Sequence, residues 1–204
     1  MFLSLSLHEA AHGFIAHKCG DDTAYNFGRI TLNPMKHIDP IGFLCMALVG
    51  FGWAKPVPVN SRNFRNHKRG LILTSIAGPV SNLLLGFIFA VIFRFTALPI
   101  TKAIYTAPSE QVAMIWSALY SMIYIAIDLN VLLAVFNLIP VPPLDGSKIL
   151  FSLLPYKVYY KIAPYEHYIS IFFMILLLTR VLNPVLNFLS GIIIDLFFKI
   201  LGIF

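Results

Sequence analysis

Charge is scarce in this chain. Asp, Glu, Lys and Arg make up 12% of its 204 residues, against about 25% in an ordinary soluble domain. With 58% hydrophobic residues and a mean hydropathy of +0.80, that scarcity excludes a solvated globular surface and points to a membrane protein. Cysteine is scarcer still. Cys19 and Cys45 are the only two, too few for a disulfide framework and without zinc-finger spacing, so they read as packed thiols. No internal repeat, low-complexity tract or separate soluble module stands out.

The 15 basic residues outnumber the 9 acids, for a formal charge of +6. In so apolar a chain this excess marks topology and not nucleic-acid binding. Arg62, Arg65, Lys68 and Arg69 crowd one loop beside His67, which is expected on the cytoplasmic side. The opening "MFLSLSLHEAAHG" has neither the basic n-region nor the small-residue cleavage site of a signal peptide. A helix from Met1 to Cys19 is roughly 28 Å long at 1.5 Å per residue, barely a span, so upstream sequence is expected to have been lost or never to have been present.

Apolar runs at 1–19, 71–98, 112–139, 168–182 and 185–202 predict an all-α polytopic membrane protein, a bundle of about five transmembrane segments. The second run is expected to be interrupted at Gly78, Pro79 and Asn82. Residues 25–60 do not read as a span, because Pro34, Pro40, Pro56 and Pro58 punctuate them. Irregular backbone at membrane depth survives only beside protein or a watery cavity, so a re-entrant or β-hairpin-like segment is expected there, walling a polar site. Residues 1–154 then form a core of three spans plus that segment, and 155–204 a C-terminal pair joined through 155–167. Trp53 and tyrosines such as Tyr156 read as interfacial anchors.

Against this background "HEAAH" is conspicuous, with three ionisable side chains within five residues of an apolar run. Ionisable groups inside a membrane are expensive and mark functional sites. Residues four apart stack on one helix face, so His8 and His12 can offer two nitrogens to one metal ion with Glu9 beside them, the arrangement of a zinc pair and a general base. Two histidines do not complete a catalytic zinc site, which takes three protein ligands and an open position. Asp145, after the proline-rich break "NLIPVPPLDG", is a candidate third ligand; a helix N-cap is an equal reading of it. His37 in "MKHIDP" is a candidate for orienting a ligand, with a local turn around Asp39 as the alternative. His17 lies off the His8–His12 face and reads as a snorkelling or capping residue.

Four signatures in order, "HEAAHGFIAHKCGD", "GRITLNPMKHIDPIG", "AGPVSN" and "FNLIPVPPLDGSKIL", resemble the site-2 protease family of intramembrane zinc metalloproteases, peptidase family M50, in its minimal bacterial branch. The resemblance covers roughly residues 7 to 151. It implies one zinc ion held by His8, His12 and Asp145, with Glu9 as the catalytic acid/base. It also implies that Asn82 helps hold substrate or the oxyanion and that Asn137 supports the "LDG" turn. The implied partners are a transmembrane peptide or protein as substrate and the lipid bilayer, with no nucleic acid and an oligomer left open. The implied location is the bacterial inner membrane, with the active site facing the cytoplasm roughly 10 to 15 Å below the surface by helix rise. A substrate helix hides its amides in its own hydrogen bonds, so it must unwind, and "GRITL" or "VPVN" could pair with it as an edge strand. Two other classes compete: a membrane metal or ion transporter, disfavoured by Glu9 and the lack of an inverted repeat, and an inactive helix-binding scaffold.

Overall fold

The structure, a computed structural model, describes residues 1–49, 52 and 54–203. Trp53, expected as an anchor, lies outside them. The helices are α1 (Phe2–Cys19), α2 (Thr23–Asn26), α3 (Pro40–Val49), α4 (His67–Tyr105), α5 (Glu110–Leu138), α6 (Asp145–Leu153), α7 (Tyr156–Ile162), α8 (Glu166–Leu178) and α9 (Asn183–Leu201). Four stretches among the described residues are long and apolar enough to cross a bilayer: His67–Tyr105, Glu110–Leu138, Tyr156–Leu178 and Asn183–Leu201. The protein is an all-α polytopic membrane protein. The first of the five expected segments, α1, has only 18 residues and is diluted by polar side chains.

α4 is central, lying against α1, α5, α6 and α9. It runs unbroken for 39 residues with Pro79 and Pro99 inside it, correcting the expected interruption. A helical proline forfeits one backbone hydrogen bond, at Pro79 the one that the Ser75 carbonyl would accept, and can be carried within a packed bundle. The two ends of α4 do different work. Toward its C-terminus, Ala90 and Phe93 join Ile127 and Val131 of α5 and Ile194 and Phe198 of α9 in an apolar core. Toward its N-terminus, Thr74, Ser75, Ser81 and Asn82 are buried together with Ser4, Ser6, His8 and His12 of α1. Small residues let helices approach closely in membranes, and this polar seam is where the site lies.

The segment after α1 turns back along it. In place of the expected hairpin ladder, the described residues hold one antiparallel bridge, Ile38 with Ala54, reinforced by Lys55 N–H donating to the His37 carbonyl at 2.9 Å. Helix α3 fills the space between, capped by the Asp39 carboxylate on Gly42 N–H at 2.8 Å, so the turn reading of Asp39 is the one realised. The return limb passes α1 at Gly13, where an added Cβ would lie 3.1 to 3.2 Å from Ala24, Ile30 and Val57. Asp21 pins both ends of the excursion, accepting from Thr23, Asn60 N–H (2.7 Å) and Asn63 Nδ2 (2.8 Å). Burial alone would raise its carboxyl, but these donors more than offset that and hold it below the usual carboxylate range.

Candidate metal centre

α1 presents His8 and His12 to α4 on its buried face. After α5 the chain reverses through Pro140–Leu144, and an added Cβ at Gly146 would lie 2.3 and 2.5 Å from the Leu138 and Ile139 carbonyl oxygens. Only glycine permits that approach. The reversal delivers Asp145 as the first residue of α6, buried, while Leu144 takes the N-cap position without a side-chain cap bond. Of the two readings of Asp145, the carboxylate's partners are thus the histidines: Oδ2 lies 3.2 Å from His8 Nε2 and 3.0 Å from His12 Nε2.

The two Nε2 atoms are themselves 3.0 Å apart. Three atoms of kinds that can bind a metal therefore converge in a triangle of 3.0 to 3.2 Å edges. Ligands about 2.0–2.1 Å from a tetrahedral zinc sit about 3.3 Å from one another, so the donor set fits that ion in type and spacing. Its surroundings fit too. The His12 Nδ1–H donates to the Thr74 carbonyl at 2.6 Å, which leaves Nε2 as the free lone pair, the usual way an outer partner orients a ligating histidine. On the other oxygen of Asp145, Lys148 Nζ donates at 2.9 Å.

Gly78 closes the third side. A Cβ there would meet His12 Nε2, His8 Cε1 and His8 Nε2 at 2.5 Å each, so the rings occupy the space a side chain would take. Asn82, one turn further along α4, is fully buried with its amide 3.2 Å from His8 Nδ1, and its Oδ1 is buried without a partner. Glu9 accepts the Val57 N–H through Oε2 at 2.8 Å.

The other candidates are placed differently. His37 is buried with Nε2 donating to the Thr31 carbonyl at 2.8 Å; among the described residues no hydrogen bond joins it to the trio, and it holds the turn between Thr31 and Ile38. Asn137 Nδ2 donates to Leu133 O at 2.9 Å within α5 and not to the "LDG" turn, yet the residue lines cavities on both sides of the site. His17 pairs with Asp22 at 2.6 Å at the exposed end of α1.

Two cavities meet here. One of about 380 Å³ reaches His8 and Glu9 between apolar walls such as Leu133, Phe136 and Phe173; the other, about 350 Å³, reaches them past Ser61, Thr74 and Lys148. The limb around Ala54–Val59 contributes to both. Lys148, Thr74, Gly78 and Val57 were not among the sequence candidates. Lys148 had a signal, its i,i+3 spacing from Asp145, whereas Thr74 and Val57 act through backbone groups that any residue type supplies.

The model of the peptidase family M50 matches residues 1–179. The chain belongs to peptidase family M50. It is 41% identical over 203 residues to "Putative zinc metalloprotease YwhC" of Bacillus subtilis, covering 97% of this chain and 88% of that protein. "Putative zinc metalloprotease Rip2" of Mycolicibacterium smegmatis is 31% identical over 189 residues, covering 89% of this chain and 66% of its own length. "Zinc metalloprotease MJ0392" of Methanocaldococcus jannaschii is 27% identical over 157 residues, covering 77% of this chain and 34% of its own. No solved structure matches. This M50 protein is therefore a membrane metalloprotease that uses zinc.

Proposed function

We propose that this M50 protein is an intramembrane endopeptidase that hydrolyses peptide bonds within or beside transmembrane segments, in regulated intramembrane proteolysis at the bacterial inner membrane. His8, His12 and Asp145 hold a single zinc ion, Glu9 is the acid/base, and the site faces the cytoplasm. Carrying this reading is the junction at Glu9, where a mostly apolar cavity and a more polar one both reach the metal triangle. Apolar substrate side chains suit the first, and the water that hydrolysis consumes has a route through the second.

Zinc bound to this donor set supplies Lewis-acid polarisation of water and of the scissile carbonyl. Glu9 takes the water's proton and returns it to the leaving nitrogen. The Val57 N–H occupies Oε2 of Glu9, which aims the carboxylate and leaves Oε1 for the proton. Asn137, on the walls of both cavities, is positioned to touch the substrate backbone. Prolines at 56 and 58 and the N–H of Val57 committed to Glu9 leave the "VPVN" limb few free donors, so an unwound substrate pairing there would rely on carbonyl acceptors and on Val59.

Asn82 is a positioning residue. As placed, its Nδ2 faces His8 Nδ1 at 3.2 Å and its Oδ1 is unpartnered; exchanging the amide oxygen and nitrogen, which shape alone does not distinguish, lets Oδ1 accept the Nδ1 proton and fix Nε2 as the ligand, as Thr74 does for His12. Asn82→Leu is expected to weaken zinc binding about 10- to 100-fold in a chelator competition, with the helical content unchanged; an unaltered affinity would reject the role.

The whole reading is tested by co-reconstituting the chain with a single-span peptide and mapping products by mass spectrometry. Zinc-dependent cuts inside or next to the apolar stretch are expected. A protein that cuts only water-soluble extended peptides, leaving the spanning one intact, would refute the intramembrane assignment.

A further inference from the structure

Between residues 27–38 and 55–58 lies a cavity of about 540 Å³ lined by Arg29, Lys36 and Lys55 with Phe27, Met35 and Pro56 among its walls and no member of the metal triangle. No carboxylate lines it, and none of these three cations takes part in an ion pair among the described residues. Arg29 is the unusual member. It is only 8% exposed, and a buried guanidinium left without an anion is costly. One of its nitrogens, Nη2, donates to the carbonyls of Lys55 (2.8 Å) and Pro56 (3.2 Å). Its Nε is buried with no partner, and Nη1 has none either among the described residues.

Arg29, with Nη2 taken by two carbonyls and Nη1 still without a partner among the described residues, forms with the two exposed lysines a cluster of three cations without a counter-ion, the charge and donor chemistry that binds a phosphate group. The rim says where that phosphate comes from. Phe27 is 69% and Met35 75% exposed, and Tyr25 and Leu32 are exposed beside them. Large apolar side chains around a basic pocket are the pattern of a surface set into the headgroup region of a membrane.

We propose that the Arg29–Lys36–Lys55 pocket binds the phosphate of an anionic phospholipid headgroup. The bound anion would complete Arg29 while Phe27 and Met35 lie along the acyl chains. Arg29 grips the carbonyls of Lys55 and Pro56, and the next residue, Val57, donates to Glu9. The lipid therefore also steadies the limb that aims the candidate catalytic carboxylate. The binding site itself stands independently of the protease reading.

Its test needs no proteolysis. The full chain in neutral detergent is titrated with short-chain phosphatidylglycerol, with phosphatidylcholine of the same chain length, and with inorganic phosphate, and bound lipid is counted by native mass spectrometry. Phosphatidylglycerol is expected to bind in preference to phosphatidylcholine, and Lys36→Gln/Lys55→Gln, two exposed changes that leave the fold intact, to weaken it about tenfold or more. The matched control Lys157→Gln/Lys161→Gln should not. Equal binding of the two lipids, or undiminished phosphatidylglycerol binding in the pocket variant, overturns the site. Displacement of the lipid by inorganic phosphate at comparable concentration overturns the lipid assignment and gives the pocket to a soluble anion.

Discussion

Glu9→Gln is expected to lose peptide hydrolysis by about 10²- to 10⁴-fold, the range that a positioned acid/base supplies, while keeping its zinc and its thermal stability. Glutamine has the same shape, and its amide oxygen can still accept the Val57 N–H that Glu9 now takes at 2.8 Å. What it cannot do is remove a proton from water. Zinc content by mass spectrometry, unfolding in detergent and cleavage of a spanning peptide separate these properties in one preparation. Cleavage equal to wild type would reject the assignment of Glu9, and lost zinc would mean that the residue holds the site together instead of acting in the reaction.

A second large effect is expected at Gly78, a position with no functional group at all. Gly78→Ala puts a methyl at 2.5 Å from ring atoms of both His8 and His12, far inside van der Waals contact, and the rings are pinned by Thr74 and Asp145. One ring must swing away, so zinc content is expected to fall to near zero and activity with it. Alanine is the better helix former by about 1 kcal/mol in a helix interior, so the helix itself is not weakened. Circular dichroism should therefore remain that of the wild type. Gly191→Ala on α9, where an added Cβ meets nothing within 4 Å, is the control and should keep full zinc. Full zinc in Gly78→Ala would contradict the packing that frames the site.

How much of this was legible beforehand depended on whether side chains or backbone carry it. The histidine pair follows from helical periodicity alone; Asp145 joined it as a candidate from the proline-rich break, level with an N-cap reading, and the resemblance then implied the ligand role. Its competing reading as an N-cap could not be dismissed from spacing, since a carboxylate at the start of a helix serves either purpose; the reversal at Gly146, which turns it toward α1, is a tertiary fact. Gly78 and Pro79 read as helix breakers because local rules treat them so. In α4 the missing side chain of Gly78 instead leaves room for the His8 and His12 rings, and the helix continues through Pro79. For His37 the residue type leaves two readings level, a group orienting a ligand and a local turn, and its ring bonds the Thr31 carbonyl, a backbone group that residue type does not reveal. The hydrogen bonds that orient His12 and Glu9 come from the Thr74 carbonyl and the Val57 amide, which no side-chain pattern announces.

The polar seam between α1 and α4 also explains why α1 falls short of an ordinary span in hydropathy. Ser4, Ser6, His8 and His12 are spent on the interior, so the helix relies on packing against α4 more than on lipid. Function and insertion compete for the same residues, and the four more apolar stretches carry the membrane anchoring.

The proposed hydrolysis requires one zinc ion bound by two imidazoles and a carboxylate brought together from α1 and α6. Zinc-edge X-ray absorption on the purified full chain, with metal content measured alongside, tests this most directly in wild type and Asp145→Asn. One zinc per chain with two imidazole nitrogens and low-atomic-number oxygen ligands is predicted for wild type, and sharply reduced zinc for the variant. A sulfur ligand in the wild-type spectrum, or full zinc with an unchanged first coordination shell in Asp145→Asn, would contradict it.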